Sequence, residues 1–440
     1  MNDLYLKQMK ELLNEEYDDY LTMLDQPHRR GLRVNTLKTA EEELFSVLDV
    51  KKEKSPFAEN GWYLDDDTFS PGRSPAYKAG LFYVQEPSAS AAVTVLNPQK
   101  GMKVLDLCAA PGSKSTQIAE KLGNTGFLCV NEYVHKRALV LVENIELNGT
   151  ANCMVLNADT KDVADAFEEY FDAVLCDAPC SGEGMFRKEE DAVRDWSPEN
   201  VQACAKRQRE ILENAYRCLK PGGVLVYSTC TFNMSENEET VVSFLSMHDN
   251  MVMEDAGVSF GRRGLINDHG LDKAVRIFPM DGGEGHFIAR MRKTGLSSKT
   301  KEPKLMKSQK IDSAALSFLD EMLEYPYPYL FEKAGKVYGG THPFIEAGNC
   351  RLIRHQVYLG DVIKGRFEPS HHFFLSSFSR FRHTADLDDE QADRYFHGEQ
   401  ISLAADKGWN AVTWHSHPVG GAKSDGKVLK NKYPKQFRFR

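Results

Sequence analysis

Five short apolar runs, separated by segments with helical spacing, constrain the fold of this chain more than any other feature. The runs read KVLDL, GFLCV, NCMVL, FDAVLCD and GVLVYS, and each ends in polar or Gly-rich residues. Between them the spacing predicts helices such as 136–147 and 200–218. Short runs rich in Val and Leu that alternate with helices are typical of a mainly parallel sheet with helices on both faces. The sequence therefore predicts an α/β domain over residues 79–293.

The flanks of this segment have different patterns. Residues 1–78 open with an amphipathic helical pattern and continue with strand-like and turn-rich stretches, which predicts an N-terminal α+β extension. The polar stretch 294–310 has the composition of a linker. Beyond it, a possible helix over 313–323 precedes aromatic, Gly-broken segments that resemble small β-rich structure. We divide this end into residues 311–384 and 385–440, and a single C-terminal domain stays open as the alternative.

Composition excludes several classes of protein. The 440 residues are 41% hydrophobic and 27% charged, which excludes a wholly disordered or fibrous chain. No apolar run approaches the roughly 20 residues that span a bilayer, and the acidic N-terminus has no signal-peptide core. Nine Cys show no CxxC pair or regular spacing. We therefore expect a cytoplasmic protein with no membrane anchor, no disulfide framework and no metal site.

Charge is distributed unevenly along the chain. There are 55 Lys and Arg against 64 Asp and Glu, a net charge of -9, yet residues 420–440 hold seven basic side chains and one acidic. A basic end on an acidic body suggests an appendage that binds a polyanion, and a merely solvated face is the alternative. The basic residues of this tail are Lys423, Lys427, Lys430, Lys432, Lys435, Arg438 and Arg440.

A second set of residues could bind nucleic acid by stacking. It consists of aromatic residues interleaved with Arg380 and Arg382. For the Phe residues we favour the alternative, in which the rings form the core of a small domain. The rings are Phe373, Phe374, Phe378, Phe381 and Tyr395.

Residues that follow the first three runs are suited to a nucleoside ligand, because ligands bind beyond the carboxyl ends of parallel strands. After the first run, small residues and a helix start would let backbone approach a ligand, without the spacing of a dinucleotide or phosphate loop. This segment is Cys108, Ala109, Ala110, Pro111, Gly112, Ser113 and Lys114. Glu132, after the second run, suits ribose hydroxyls, and Asp159, after the third, suits the exocyclic amine of a purine. An adenosine ligand without pyrophosphate suggests S-adenosylmethionine, although each acid alone could be a solvated loop residue.

Two cysteines at strand ends are candidates for covalent chemistry. Asp177 closes the fourth run and Cys180 follows it, while Cys230 comes just past the fifth. A thiol near positive helix ends can have a lowered pKa, and the thiolate is the form that attacks carbon. Cys108 and Cys176 also lie at strand ends. For the remaining cysteines we expect small buried side chains: Cys129, Cys153, Cys204, Cys218 and Cys350.

These motifs together resemble a known family. The segments CAAPGSK, NEYVHKRA, DAPCSGEG and YSTCTFNMSENEE resemble those of the RNA (cytosine-5) methyltransferases of the Sun and nucleolar-protein family. The segments RGLRVNTLK and LFYVQEPSA look like the amino-terminal part of that family. The end, KSDGKVLKNKYPK, looks like the PUA-like RNA-binding tail of the bacterial type that modifies 16S ribosomal RNA.

The resemblance implies a fold and a chemistry. The fold would be a Rossmann-like class I methyltransferase sheet, with an N-terminal RNA-recognition extension and a small C-terminal PUA-like RNA-binding region. S-adenosylmethionine would bind at Cys108 to Lys114, Glu132, Asp159 and Asp177. Cys230 would be the nucleophile that adds to cytosine in 16S ribosomal RNA, and Cys180 would assist release of the product. A monomer is expected.

Asp177 has a possible second role in the reaction. It could donate a hydrogen bond to the N3 edge of the cytosine ring, where charge develops. That role requires a protonated carboxyl, and hence a pKa raised by burial.

Three alternatives stay open at this stage. The substrate could be transfer RNA. A DNA cytosine-5 methyltransferase would use Cys180 as its nucleophile. A ribosome-assembly or RNA-binding factor without catalysis is the third possibility, against which the two cysteines and the cofactor residues argue.

Overall fold

The computed structural model describes residues 2–65, 69–295 and 302–439, so residues 296–301 of the predicted linker and Arg440 of the basic tail lie outside the described residues. The N-terminal part has an antiparallel sheet in the order β2-β3-β1-β4. Its elements are α1 (Asp3–Leu13), α2 (Tyr17–Leu24), β1 (Arg30–Val34), α3 (Glu41–Val47), β2 (Lys52–Lys54), β3 (Gly61–Leu64), α4 (Pro75–Lys78), β4 (Phe82–Gln85) and α5 (Ala91–Leu96). The predicted α+β extension is present.

Helix α1 shows how local sequence places an element. Asn2 caps its N-terminus by accepting a hydrogen bond from the Leu4 amide. Tyr5 and Met9 are four residues apart and both buried, so they lie on one face of the helix. The ring of Tyr5 packs edge-on against Phe186 and Trp196 of the central domain. The N-terminal helix is thereby fixed beside the segment that follows the fourth apolar run.

The central sheet has the strand order β11-β12-β13-β9-β8-β5-β6-β7-β16, in which β16 (Arg351–His355) comes from the C-terminal part, and β10 also pairs with β13. The strands in this part are β5 (Lys103–Asp106), β6 (Phe127–Asn131), β7 (Cys153–Asn157), β8 (Phe171–Asp177), β9 (Leu219–Thr229), β10 (Met251–Glu254), β11 (Arg262–Arg263), β12 (Val275–Ile277) and β13 (His286–Lys293). The helices are α6 (Ser113–Leu122), α7 (His135–Asn148), α8 (Thr160–Ala166), α9 (Glu190–Asp195), α10 (Pro198–Cys218) and α11 (Glu238–Met247).

The five predicted apolar runs are the five parallel strands β5 to β9. Neighbouring residues of a strand point to opposite faces, so Val104 and Leu105 belong to two different apolar clusters, one on each side of the sheet. Strands β6 and β7 follow β5 on one side of it in the sheet, whereas β8 and β9 lie on the opposite side of β5. This reversal creates the crevice in which such sheets bind ligands. The predicted α/β class is confirmed.

The C-terminal part contains two small sheets, in the orders β14-β15-β17-β18 and β19-β21-β22-β23-β20. Its elements are α12 (Ser313–Met322), β14 (Tyr329–Lys333), β15 (Lys336–Gly340), β16 (Arg351–His355), β17 (Val357–Ile363), β18 (Arg366–Pro369), α13 (His371–Leu375), β19 (Thr384–Leu387), α14 (Asp389–Phe396), β20 (Ile401–Ser402), β21 (Gly408–Trp414), β22 (His417–Ser424) and β23 (Val428–Asn431). Strand β16 pairs antiparallel with β7, so a strand of segment 311–384 extends the central sheet. The domain boundaries themselves stay predictions.

The last sheet packs on the N-terminal sheet. Leu32 and Val34 of β1 share an apolar cluster with Val412 and Trp414 of β21, although nearly 400 residues separate them in the chain. The aromatic residues considered for stacking are part of the C-terminal cores: Phe373, Phe374, Phe381 and Tyr395 are buried, and Phe378 is half-buried. The core interpretation of these rings is therefore correct.

Candidate active site

One side-chain amide joins the ends of three neighbouring strands. Asn131, the last residue of β6, donates from Nδ2 to the Leu107 carbonyl at 3.2 Å and to the Ala158 carbonyl at 3.1 Å. Its Oδ1 accepts from the Ala158 amide at 3.1 Å. The loops that follow β5, β6 and β7 are therefore held together at one edge of the sheet, as their order in the sequence predicts.

The loop from Cys108 to Lys114 lies at this edge and is held by its backbone. Arg137 donates to the Ala110 carbonyl at 2.9 Å, and Asn144 donates to the Pro111 carbonyl at 2.8 Å. Gly112 precedes α6 at φ 114°, a left-handed conformation that favours glycine. The loop thus presents the start of α6 to the crevice, with amides that no side chain caps.

The two acids predicted to bind the nucleoside differ in their surroundings. Glu132 is buried beyond β6, where Oε1 accepts from the Val134 amide at 2.8 Å and Oε2 lies 3.6 Å from Arg137. Asp159 is exposed beyond β7, and its Oδ1 accepts from the Lys161 amide at 2.9 Å as the N-cap of α8. Asp159 therefore has a structural role in the protein, and its role towards a ligand stays a prediction.

Asp106, at the end of β5, is a buried acid that the sequence interpretation missed. Its Oδ2 accepts from the Ser115 hydroxyl at 2.6 Å, and its Oδ1 has no hydrogen-bond partner among the described residues. Burial, together with the charges of Asp177 and Glu132, raises the pKa of Asp106 to about 7. The signal was present, since an acid closes the run KVLD. The unpartnered oxygen marks a place for a hydrogen-bond donor or a cation.

Asp177 is paired with a cation. Its Oδ2 lies 2.8 Å from Nζ of Lys114, and its Oδ1 accepts from the Ser228 hydroxyl at 2.6 Å. Burial disfavours the ionised carboxyl, but the Lys114 ammonium and the two hydrogen bonds outweigh it and lower the pKa of Asp177. The same carboxylate outweighs the effect of burial on Lys114 and raises its pKa. The role of Asp177 as a protonated donor to the base stays a prediction, and the Lys114 ammonium that α6 brings against the carboxylate acts against it.

Cys180 and Cys230 are brought together by the ends of β8 and β9. Their Sγ atoms are 3.2 Å apart, and both side chains are half-buried. The contact with Cys230 and burial raise the pKa of the Cys180 thiol well above its ordinary value. Cys108 is half-buried and packs against the core. The five cysteines expected to be small core side chains are all buried, as is Cys176.

Polar side chains hold the two cysteine loops in place. The Ser181 and Thr231 hydroxyls are 2.9 Å apart. Buried Glu236 accepts from the Ser181 amide at 2.9 Å and from Gln208 at 2.7 Å. Glu183 accepts from the Phe232 amide at 2.9 Å. Ser181, Glu183, Thr231 and Glu236 lie within the motifs DAPCSGEG and YSTCTFNMSENEE, but spacing alone gave them no role, and no sequence pattern pointed to Gln208.

The basic tail presents four exposed lysines, Lys427, Lys430, Lys432 and Lys435. Lys423 differs from them because its Nζ lies 3.2 Å from Glu368 and 4.7 Å from the ring centroid of Trp409. Since both interactions hold its ammonium group, Lys423 is the member of this set least available to a polyanion.

In residues 2–65, 69–295 and 302–439, no helix combines the length and apolar character needed to cross a membrane. Within the same ranges, no group of three His, Cys, Asp or Glu side chains could hold a metal ion.

Four family models match successive parts of the chain. They are described as the N-terminal domain of 16S rRNA methyltransferase RsmF (residues 1–87), 16S rRNA methyltransferase RsmB/F (93–292), the RsmF rRNA methyltransferase first C-terminal domain (317–376) and the methyltransferase RsmF PUA domain (382–439).

Proteins named ribosomal RNA small subunit methyltransferase F are similar to the chain over nearly its full length. That of Klebsiella pneumoniae strain 342 is 32% identical over 466 residues, which cover 99% of this chain and 96% of the relative. That of Escherichia coli O6:H1 strain CFT073 is 33% identical over 477 residues, with coverage of 99% and 96%.

Solved structures are similar over about two thirds of the chain. A methyltransferase homologue from Pyrococcus horikoshii is 28% identical, with a TM-score of 0.60, and the match covers 67% of this chain and 95% of that one. NSun6 from the same organism, solved with SFG, is 24% identical with a TM-score of 0.57, over 66% and 97% of the two chains, and at this identity it supports the fold alone. The Rossmann-like methyltransferase fold is thereby confirmed.

Proposed function

Because the chain belongs to the ribosomal RNA small subunit methyltransferase F family, we propose that it methylates carbon 5 of cytosine in 16S ribosomal RNA. One observation carries the chemistry: two thiols, 3.2 Å apart, lie at the strand ends beside the Lys114–Asp177 ion pair. The family inferred from the motifs is the one that the relatives identify. We further propose that the enzyme acts as a monomer in the bacterial cytoplasm.

The residues at the strand ends fit S-adenosylmethionine as the methyl donor. The donor carries positive charge and a ribose, and the unpartnered Oδ1 of Asp106 offers an acceptor to a cationic group. The buried carboxylate of Glu132 suits two ribose hydroxyls, and the loop from Cys108 to Lys114 allows close backbone approach. When bound, the donor supplies an electrophilic methyl group on a sulfonium sulfur.

The sulfur of Cys230 opens the reaction by adding to carbon 6 of the cytosine. Carbon 5 of the intact ring is a poor nucleophile, and the addition breaks aromaticity and makes that carbon enamine-like. A covalent intermediate thus divides one difficult step into easier ones. After methylation, the hydrogen on carbon 5 leaves as a proton, and the C–S bond breaks to restore the ring.

The Lys114–Asp177 pair orients the base. The carboxylate of Asp177 is ionised and so accepts, which suits the exocyclic amine of cytosine. The ammonium of Lys114 donates to the N3 and O2 edge, where negative charge develops as the sulfur adds. The donor role first considered for Asp177 passes to Lys114.

Cys180 assists release as a thiol. Its raised pKa keeps it protonated at neutral pH, so its S–H can donate to the Sγ of Cys230 across 3.2 Å. This hydrogen bond stabilises the negative charge that collects on Cys230 as the C–S bond breaks. The protonated state argues against Cys180 as the attacking group, which a DNA cytosine-5 methyltransferase would require.

The exposed tail lysines supply the RNA contact in this proposal. Lys427, Lys430, Lys432 and Lys435 are exposed near the end of the chain, and phosphate contacts provide affinity without sequence information. The target cytosine must leave its stack or lie in a loop to reach the cysteines.

The test is transfer of label from methyl-labelled S-adenosylmethionine to RNA from cells that lack this gene. We expect 5-methylcytosine in 16S ribosomal RNA, located by bisulfite sequencing and matched by its loss in the deletion strain. Label confined to transfer RNA or to DNA would overturn the proposed substrate. RNA binding without any transfer would favour a non-catalytic assembly factor.

A further inference from the structure

His286 is a buried histidine on the strand that pairs with the end of β9, and the reaction described above does not use it. It is the first residue of β13, where Phe287 pairs with Thr229 and Ile288 with Ser228 of β9. Side chains of paired residues share a face, so His286 lies on the same face as Ser228, whose hydroxyl holds Asp177. If the pairing of β13 with β9 continued by one more residue, His286 would lie opposite Cys230.

The backbone around His286 also meets both cysteine loops. The Gly184 amide donates to the Cys230 carbonyl at 2.8 Å. A Cβ added at Gly184 would lie 2.8 Å from the Gly285 carbonyl oxygen and 3.0 Å from the Cys230 carbonyl oxygen. Three chain segments, one from each cysteine loop and one directly before His286, therefore touch at this point.

Hydrogen bonds fix the tautomer of His286. Glu86 accepts from the Ser88 amide at 2.8 Å and from the Ser88 hydroxyl at 2.7 Å, so the single hydroxyl hydrogen of Ser88 points to Glu86. The Ser88 oxygen lies 2.9 Å from Nδ1 of His286 and can only accept there. Nδ1 therefore carries the ring proton, and Nε2 keeps its lone pair. Within the described residues, no side chain or backbone group bonds Nε2.

Burial favours the neutral form of the His286 ring. Burial lowers its pKa, and the Lys114 ammonium acts in the same direction, against Glu86 and Asp177, which raise it. A neutral imidazole with a free Nε2 is the form that accepts a proton.

We propose that Nε2 of His286 accepts the proton that leaves carbon 5 of the methylated cytosine. This inference rests on the proposed function. The sulfur adds to one face of the ring and the methyl group arrives from the other, so the hydrogen on carbon 5 ends on the face of the sulfur. His286 lies on the sheet face and at the strand ends that carry this sulfur. The C–H electron pair restores the C5=C6 bond, the C–S bond breaks with its electrons on Cys230, and the imidazolium passes its proton to solvent.

The variant His286→Asn tests the step, since its amide can still donate to Ser88 while it lacks Nε2. The substrate is 16S RNA with tritium on carbon 5 of cytosine, and the readouts are methyl incorporation in a single turnover, covalent complex on a denaturing gel, and tritium release. We expect complex formation within a few-fold of the wild type and tritium release about 100-fold slower, so that the complex accumulates.

Matched variants keep the result interpretable. His355→Asn changes another buried histidine, on β16 at the far edge of the same sheet, and should release tritium at the wild-type rate. Imidazole in the buffer should restore part of the release in His286→Ala.

Two results would overturn the assignment of His286: wild-type tritium release by His286→Asn, or a folded His286→Asn that forms no complex. Failure of the wild-type enzyme to incorporate methyl label into the RNA would instead contradict the proposed function.

Discussion

The hydroxyl groups of Ser181 and Thr231, each directly after one of the paired cysteines, lie 2.9 Å apart. The Ser181 hydroxyl also donates to Glu236, which begins the segment leading into α11. The separation of the two sulfurs is therefore set by a buried polar network that joins the β8 and β9 loops, rather than by the cysteines alone.

Removal of the carboxylate at position 236 should loosen this network. Glu236→Ala leaves the Ser181 amide and the Gln208 amide without their acceptor, which costs about 1–3 kcal/mol of unfolding free energy for such a buried group. Urea denaturation measures the loss. Exposed Glu239 provides the control, since Glu239→Ala should leave the midpoint nearly unchanged. Equal midpoints for the two variants would contradict the role of Glu236.

The two cysteines should give opposite results in adduct trapping. Cys230→Ala lacks the attacking sulfur and should form no covalent RNA complex, whereas Cys180→Ala lacks the S–H donor that assists departure and should accumulate one. Denaturing electrophoresis with labelled RNA detects the complex, and Cys204→Ala on α10 serves as a control. An adduct that survives Cys230→Ala but not Cys180→Ala would reverse the assignment and favour the DNA-type mechanism.

Loss of the Lys114 ammonium should affect the chemical step. Lys114→Met removes the donor to the cytosine ring and the ion-pair partner of Asp177, and we expect kcat to fall roughly 100-fold or more. The pKa of Asp177 should rise, because burial then acts without the opposing charge. Lys121→Met on the same helix breaks only an exposed pair with Glu59 and should keep wild-type kcat. A lower affinity for RNA with an unchanged kcat would show that Lys114 acts in substrate binding and not in the chemical step.

Affinity for the methyl donor should increase with pH. The pKa of Asp106 is raised by burial to about 7, so the carboxyl is mostly neutral at pH 6 and mostly ionised at pH 8. A cationic ligand prefers the ionised carboxylate. Because the ionised fraction of Asp106 rises roughly tenfold between pH 6 and pH 8, we expect the affinity for the donor to rise by about the same factor. Calorimetry with S-adenosylmethionine measures it. Asp106→Asn should bind more weakly at pH 8 and lose the pH dependence; an unchanged dependence would exclude Asp106 as its source.

RNA affinity should depend on salt through the tail. Replacement of Lys427, Lys430 and Lys435 by Gln should reduce the slope of log affinity against log salt by roughly 2 to 3, at about 0.7–0.9 per phosphate contact. Filter binding with 16S RNA at several salt concentrations gives the slope. The double variant Lys100→Gln and Lys206→Gln, at exposed positions of the central domain, is the control, and an equal effect there would indicate a diffuse charge effect.

Local pattern was sufficient for the central domain and for most of its site. Helices α7 (His135–Asn148) and α10 (Pro198–Cys218) match the predicted segments to within two residues, because apolar periodicity and capping residues act over a few turns. The loop after β5, the acid after β6 and the two cysteines meet at one edge because parallel strands place their carboxyl ends together.

The charge state of Asp177 could not be predicted in the same way. A donor role for Asp177 required a pKa raised by burial, whereas the fold places the ammonium of Lys114, 63 residues distant in the chain, 2.8 Å from the carboxylate. Asp106 and His286 were missed for a related reason. Asp106 matters because its Oδ1 has no hydrogen-bond partner among the described residues, and His286 matters because its tautomer is fixed. Both properties depend on residues that are distant in the chain and meet only in the folded protein.

The sequence alone determined the alternation of strands and helices, the family and the pair of cysteines, because these depend on contacts between near neighbours and on side-chain chemistry. The tertiary structure decided how distant segments combine. It placed β16 on the edge of the central sheet and the last sheet against β1, where Leu32 meets Val412. Helices and strands that have already formed leave apolar faces exposed, and these faces then pack against one another. A short-range sequence pattern does not specify which of the faces pack together.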